Sequence, residues 1–485
     1  MKRIVIAMKT TSQKVEQAHA GKPQKALRED TLAIDKSELK GSAPMTWAGN
    51  KRLFILIAAV SLVTRVLAAD FFIHDGDRVV FLGDSITEQR LYTTYIEAYA
   101  LTRHPQWQLS FRNVGWGGDT AWLRQRFQTD EGRLFAADET AQQAMVDQAV
   151  GSGLARDVLP LKPTVVTVDF GMNDHAYQAF REDICRAYLR SQTKIANTLK
   201  DQGARVALLT PQPIEEQRPD PDQDVRNQSL RKFSDGLKSV AVQTGATFVD
   251  QFEPYMAIML RERASNPKAR IGGGDAVHPG PAGHTLMAWA ILKGLGASAL
   301  VARAEIDDKA KTVVAAEACR IQNLKFADDV VGFDRLDDAL PMPVDTAAEP
   351  ALKLAPILDE LNQYELRVTG LAPGNYQLSI DGEVVGKATA DELGRGWNLA
   401  GNAGPITKQG QELLKLIYQK NNVYFDRWRK VQLYVFPDWA QISEVENRRA
   451  TELSRMDQEI AEAEAQIDKL RQPKLHHFEL KPVVL

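Results

Sequence analysis

Cysteine is nearly absent: the 485 residues contain two, Cys185 and Cys319. A disulfide scaffold is excluded, and thiols this far apart form no metal-ligand spacing. One disulfide and two separate buried thiols stay equally open. An excess of either charge is also missing. With Lys+Arg 60 and Asp+Glu 63, the formal net charge is -3, which gives no electrostatic reason to expect a nucleic-acid partner. No apolar run is long enough for a comfortable membrane span, and there are neither internal repeats nor long low-complexity tracts. What remains is ordinary for a globular chain, 44% hydrophobic and 25% charged. The length exceeds what one compact domain usually holds, so two or three folding units are expected.

Residues 1–44 are polar and lack an apolar period. They read as disordered, or as the product of a start site assigned too early. Met45 opens a second possible beginning. Lys51 and Arg52 precede the apolar run Leu53 to Val63, and Val66, Leu67, Ala68 and Ala69 supply small residues near a cleavage point. Residues 45–69 thus have the layout of a secretory signal peptide, with a buried helix of the fold and a retained N-terminal anchor as the lesser alternatives, and a secreted or periplasmic protein with no stable span in its mature chain is expected.

From Asp77 to about Leu295, short apolar runs alternate with helix-length segments. The runs are Arg78 to Leu82, Gln108 to Asn113, Thr164 to Phe170, Arg205 to Thr210 and Ala246 to Asp250; the clearest helices are Phe180–Lys200 and Val225–Thr244. This pattern predicts an α/β fold, a parallel sheet covered on both faces. Ligands bind beyond the carboxyl ends of such strands. After about residue 300 the texture changes. Residues 336–358 read as irregular, and the alternating runs Tyr364–Thr369 and Tyr376–Ile380, the latter followed by Asp381-Gly382, predict a small antiparallel β module. Residues 301–400 are therefore taken as β-rich and 401–485 as helical. In the last helix, Leu453, Met456, Ile460, Ala463, Ile467 and Leu470 form an apolar stripe, expected to pack on the helix near Glu412–Arg429, with an intermolecular coiled coil as the lesser alternative.

Four signatures occupy the strand ends and loops. Gly83-Asp84-Ser85-Ile86-Thr87 follows the first run and presents a hydroxyl that needs a base before it can attack. Read without the others, it is a turn and helix cap. The second, from Asn113 to Thr120, includes Gly115, Gly117 and Gly118, which leave backbone N–H groups open to an oxyanion; the plain alternative is a flexible turn. The third, Gly171-Met172-Asn173-Asp174, offers a neutral amide donor or an Asn/Asp turn. The fourth, Asp275-Ala276-Val277-His278-Pro279, places a carboxylate three residues before an imidazole in a glycine-rich loop. Histidine suits a general base near neutral pH, and the carboxylate can fix its tautomer.

Taken together, the four resemble the blocks of the SGNH hydrolase family, the GDSL-type esterases, over about Asp77 to Ala290. The resemblance implies a three-layer α/β/α, flavodoxin-like sheet over residues 70–300. It implies Ser85 as nucleophile, Asp275 and His278 completing a triad, and an oxyanion hole formed by the Ser85 and Gly118 N–H groups with the Asn173 side chain. Gly117 competes for the glycine role. Ile86 replaces the family's leucine, a conservative change. No metal or organic cofactor is implied. The partner is an ester substrate, and an acylated glycan is favoured, with removal of acetyl or similar groups. Trp116 and Trp122 could form a stacking wall for a sugar, although core packing is the commoner fate of Trp; His175 could touch substrate. Asp84 is assigned to organising the turn, and His284 to the helix after the triad loop. The alternatives are a lipase or lysophospholipase, a thioesterase, or, from another class, a non-catalytic binding or scaffold protein.

Overall fold

Five short strands form the central sheet of the computed structural model, which describes residues 70–216, 220–327, 329–437, 439 and 442–483. The expected leader 1–44 and signal peptide 45–69 lie outside the described residues. The strands are β1 (Arg78–Gly83), β2 (Ser110–Asn113), β3 (Val165–Asp169), β4 (Arg205–Leu209) and β5 (Thr247–Val249). All neighbours are parallel, in the order β2-β1-β3-β4-β5.

The period of two along a strand sorts the core into two layers. Val79 and Phe81 point to one face, with Ala207, Leu209 and Val249, and pack on the helices Leu91–Arg103, Phe252–Ser265 and Pro281–Gly294. Val80 and Leu82 point to the other, with Val166, Val168 and Leu208, against Glu139–Asp157, Glu182–Asp201 and Val225–Thr244. Strands apolar on both faces can only sit in a sheet covered on both sides. The fold is the expected α/β/α sandwich.

The appended region has two further sheets. Strands β6 (Leu300–Asp307), β7 (Thr312–Glu317), β8 (Cys319–Ala327) and β9 (Val330–Asp337) come first, then β10 (Gln363–Thr369), β11 (Asn375–Ile380), β12 (Glu383–Thr389) and β13 (Trp397–Asn398). Asp381 and Gly382 join β11 to β12, both with positive φ, as a two-residue hairpin turn of this type requires. The module is not wholly antiparallel: β10 pairs in parallel with β6, because β10 and β11 enter different sheets instead of forming a hairpin. The region 401–485 also differs from an all-helical reading. After the helices Pro405–Phe425 and Ser443–Leu470 comes β14 (Leu475–Pro482), inserted between β11 and β9. Its alternation of buried His476, Phe478 and Leu480 is too short to stand out after a long helix.

The two C-terminal helices pack on each other as the apolar stripe requires, burying Met456, Ile460 and Ile467. They also reach the hydrolase core: Leu413, Leu414 and Ile417 join one layer, and Tyr424, Trp428 and Ile460 the other. Edge strand β2 is thereby covered; its Arg112 pairs with Glu464 at 2.7 Å. Covering an edge removes a template for unwanted strand pairing. Cys185 and Cys319 are both free and buried. Among the described residues, no helix is long and apolar enough to cross a membrane.

Candidate active site

Ser85 opens the four-residue helix Ser85–Glu88 directly after β1. Asp84 caps it, accepting the Ile86 N–H at 2.9 Å. The turn is possible because residue 83 is glycine: a Cβ there would lie 2.1 Å from Thr87 Oγ1 and 2.6 Å from the Asp169 carbonyl. Asp84 is fully buried, so its carboxyl is pushed well above the ordinary range by loss of hydration and then by the charge of Asp169.

Ser85 Oγ lies 2.9 Å from His278 Nε2, and His278 Nδ1 lies 3.1 Å from Asp275 Oδ2. Asp275 Oδ1 accepts the N–H groups of Val277 and His278, each at 2.7 Å. The His278 N–H, then that of Val277, hold the Asp275 carboxyl below its usual range. The structure thus brings together three residues from opposite ends of the domain. Three side chains fix their spacing. The His284 ring, on the helix after the triad loop, joins Gln89 Oε1 through Nε2 at 2.6 Å and accepts the Tyr92 N–H at Nδ1. Burial lowers the His284 pKa to about 3, so the ring stays neutral with its proton on Nε2. Glu215, after β4, accepts the Ile271 and Gly272 N–H groups at the base of the triad loop. Gln212 Nε2 donates to the Val277 carbonyl at 3.0 Å.

The glycine loop after β2 supplies the next group. Gly117 donates its N–H to Glu88 Oε2 at 2.9 Å, so it is committed. Gly118 has φ +74°, a conformation that favours glycine, and its N–H has no partner among the described residues. Between the two competing glycines, geometry favours Gly118. Asn173 Nδ2 donates one hydrogen to the Asp119 carbonyl at 2.9 Å, and Tyr177 Oη donates to Asn173 Oδ1 at 3.1 Å. These bonds fix which end of the amide is the donor and leave its second hydrogen free. Asp174 sits behind, accepting from Gly171 and Ala121; burial raises its pKa to about 7.

Two expected substrate contacts are corrected. His175 is only 1% exposed. The turn Gly171–Ala176, closed by the His175 N–H on the Gly171 carbonyl, directs its ring inward, where burial lowers its pKa to about 4. Trp116 is no open stacking wall: the Arg429 guanidinium lies 3.5 Å from its ring centre, and Trp428 meets it edge-on at 5.9 Å. Trp122 is core, its indole N–H bonded to Glu131. Glu88, Tyr177 and Glu215 are site-building residues that the motifs did not single out. Glu88 directly follows the first signature, the one available signal.

The family comparison falls on this same stretch: the model for the GDSL-like lipase/acylhydrolase family matches residues 81–286. This domain belongs to that family. The hydrolase is similar in structure to BT4096, a gut microbial diltiazem-metabolizing enzyme, at 26% identity, over 85% of this chain and 98% of that one, with TM-score 0.70. That share is larger than residues 81–286, so the likeness includes appended strands and helices. Axe2, an acetylxylan esterase from Geobacillus stearothermophilus, matches at 21% identity over 46% of this chain and 96% of its own, TM-score 0.36. LAE5, an alpha/beta hydrolase from the metagenome of Lake Arreo, Spain, matches at 20% over 47% and 98%, TM-score 0.35. Scores this low bear on nothing further. No curated protein matches the sequence. Residues 81–286 form a serine ester hydrolase domain of the SGNH type.

Proposed function

We propose that this hydrolase removes short acyl groups, acetyl above all, from a hydroxylated substrate of the carbohydrate class, through an acyl-enzyme on Ser85. The observation that carries the reading is the Ser85–His278–Asp275 chain at 2.9 and 3.1 Å on an open rim, where the His278 side chain is 36% exposed and that of Asp275 66%. His278 Nε2 takes the Ser85 proton as Oγ attacks the ester carbonyl, while Nδ1–H donates to Asp275. The Ser85 and Gly118 N–H groups and Asn173 Nδ2 receive the oxyanion, each donor worth about 3 kcal/mol. His278 then protonates the departing alcohol and activates the water that frees Ser85.

An open rim suits an acyl group carried on a large alcohol. A lipase needs an exposed apolar surface to hold a long chain. Among the described large apolar side chains that stand exposed, Tyr177 is the one bonded to a site residue, and its bond is polar. The likeness to a diltiazem-metabolizing enzyme favours a second reading, in which the ester belongs to a discrete small molecule. Export is part of the proposal, supported by the basic pair and apolar run of residues 51–63.

The test is hydrolysis of p-nitrophenyl acetate, butyrate and longer esters beside Ser85→Ala, followed by acetate release from acetylated xylan or pectin and fatty-acid release from phospholipid. Short-ester activity that vanishes in the variant, with acetate release, supports the reading. Release of long acyl chains alone would overturn it.

A further inference from the structure

After the helix Pro405–Phe425 the chain is π-helical from Asp426 to Gln432, a rare geometry that recurs at functional sites. This segment meets the active-site loop. Trp428 and Arg429 enclose Trp116, and Arg429 Nε stands 3.6 Å from Glu88 Oε1. The other oxygen of Glu88 is the acceptor for Gly117. On the preceding helix, Asn422 Oδ1 accepts from Arg90 Nε at 3.2 Å, and the Phe425 ring lies 4.2 Å below the Arg90 guanidinium. Arg90 itself has φ +62°, a left-handed conformation that a non-glycine residue keeps only when its surroundings hold it. It also donates to the Glu88 carbonyl.

Asn422, Phe425 and Arg429 therefore grip both the exit of the nucleophile turn and the loop Trp116-Gly117-Gly118. Contacts that served only to attach the C-terminal helices would not need to reach these residues; the buried pairing of Lys420 with Glu97, supported by Asn421, already does that. The grip falls one peptide before the Gly118 N–H.

We propose that Arg429 is a positioning residue: paired with Glu88 and stacked on Trp116, it holds the glycine loop where the Gly118 N–H meets the oxyanion, so the C-terminal segment completes the active site. This rests on the role given to Gly118 above. Loss of Arg429 releases Glu88 from one side and uncovers Trp116, and the loop drifts from its aligned position.

The experiment compares Arg429→Gln, Arg429→Lys and Glu88→Gln with the wild type on p-nitrophenyl acetate. Active sites are counted by a fluorophosphonate that labels the serine, and melting temperature is recorded alongside. Removing one oxyanion donor outright costs about 10²–10³ in kcat, so misplacing it should cost about tenfold, with KM within about twofold. Arg429→Lys should recover part of this by restoring charge beside Glu88. Glu88→Gln keeps an oxygen for Gly117 but loses its charge, and should reproduce the loss; combined with Arg429→Gln it should add nothing. Arg429→Gln with kcat per labelled site within twofold of wild type overturns the proposal, as do additive losses. Should Arg429→Gln not fold, an unchanged kcat in Glu88→Gln overturns it alone. A wild type inert to both ester and phosphonate sinks the catalytic reading, and this proposal with it; an active wild type with unaltered variants sinks this proposal only.

Discussion

The substitution Asp275→Asn separates two tasks of one carboxylate. Oδ1 accepts two backbone N–H groups at 2.7 Å, while Oδ2 faces His278 Nδ1 at 3.1 Å. An amide oxygen can keep the first pair. An amide NH2 turned toward Nδ1 cannot accept its proton, and it favours the tautomer whose Nε2 carries hydrogen and cannot serve Ser85 as a base. In a buried triad this costs about 10⁴ in kcat. Here 66% of the Asp275 side chain is exposed, so water competes at Nδ1 and screens the charge. A hydrogen bond to a charged group contributes about 1.5–3 kcal/mol. The screened end of that range, at about 1.36 kcal/mol per tenfold, predicts a kcat loss of roughly ten- to thirtyfold. Asp275→Ala also gives up the loop bonds and should lose about tenfold more, with a lower melting temperature. Steady-state kinetics on p-nitrophenyl acetate, with melting curves, read both. A loss within twofold would show that Asp275 does not orient His278; a loss near 10⁴ would refute the screening argument. The pH dependence has a definite sign. A carboxyl held below its usual range keeps its charge until pH falls through that lowered value, so a loss of activity above about pH 4 belongs to another group.

Asn173→Ala should lower kcat by about 10²–10³ with KM little changed, whereas Tyr177→Phe, which removes one bond to the Asn173 carbonyl, should cost about fivefold, near 1 kcal/mol; equal losses in steady-state kinetics would deny Tyr177 a merely orienting part. Lys420→Met strands the buried Glu97 carboxylate and should reduce unfolding free energy by about 3–5 kcal/mol in urea titration; a change below about 1 kcal/mol would refute the pairing. Asp169, fully buried and bonded by Gln251, has its pKa raised to about 7. The folded state therefore binds its proton more tightly than the unfolded chain, and its contribution to stability falls as pH rises from about 4 to about 7. Asp169→Asn should gain melting temperature relative to wild type between pH 5 and 8, and a difference that does not change with pH would count against this.

The central sheet was legible because its strands are short apolar runs ended by Gly83, Gly171 and Pro211, punctuation that backbone sterics enforce. The four signatures were legible because chemistry concentrates them at strand ends. Direction was less legible. Asn173 and His175 are two residues apart, yet a tight turn gives one the Asp119 carbonyl and the Tyr177 hydroxyl as partners and sends the other into the core. Partners distant in sequence left no signal: nothing around Trp116 announces that Arg429 will cover it, or that Glu97 will bury its charge against Lys420. Strand β14 was missed for a related reason, since its pairing partners lie far upstream and its own pattern spans few residues.

Sheet order has a consequence for synthesis. β14 fills the gap between β9 and β11, but residues 381–474 must be made between β11 and β14. At about 5–20 residues per second, a growing chain carries two open strand edges for on the order of 5–20 s. Open edges recruit other strands, so the appended module is exposed to mispairing as it emerges from the ribosome. A chain ending between residues 381 and 474 would make that transient state permanent.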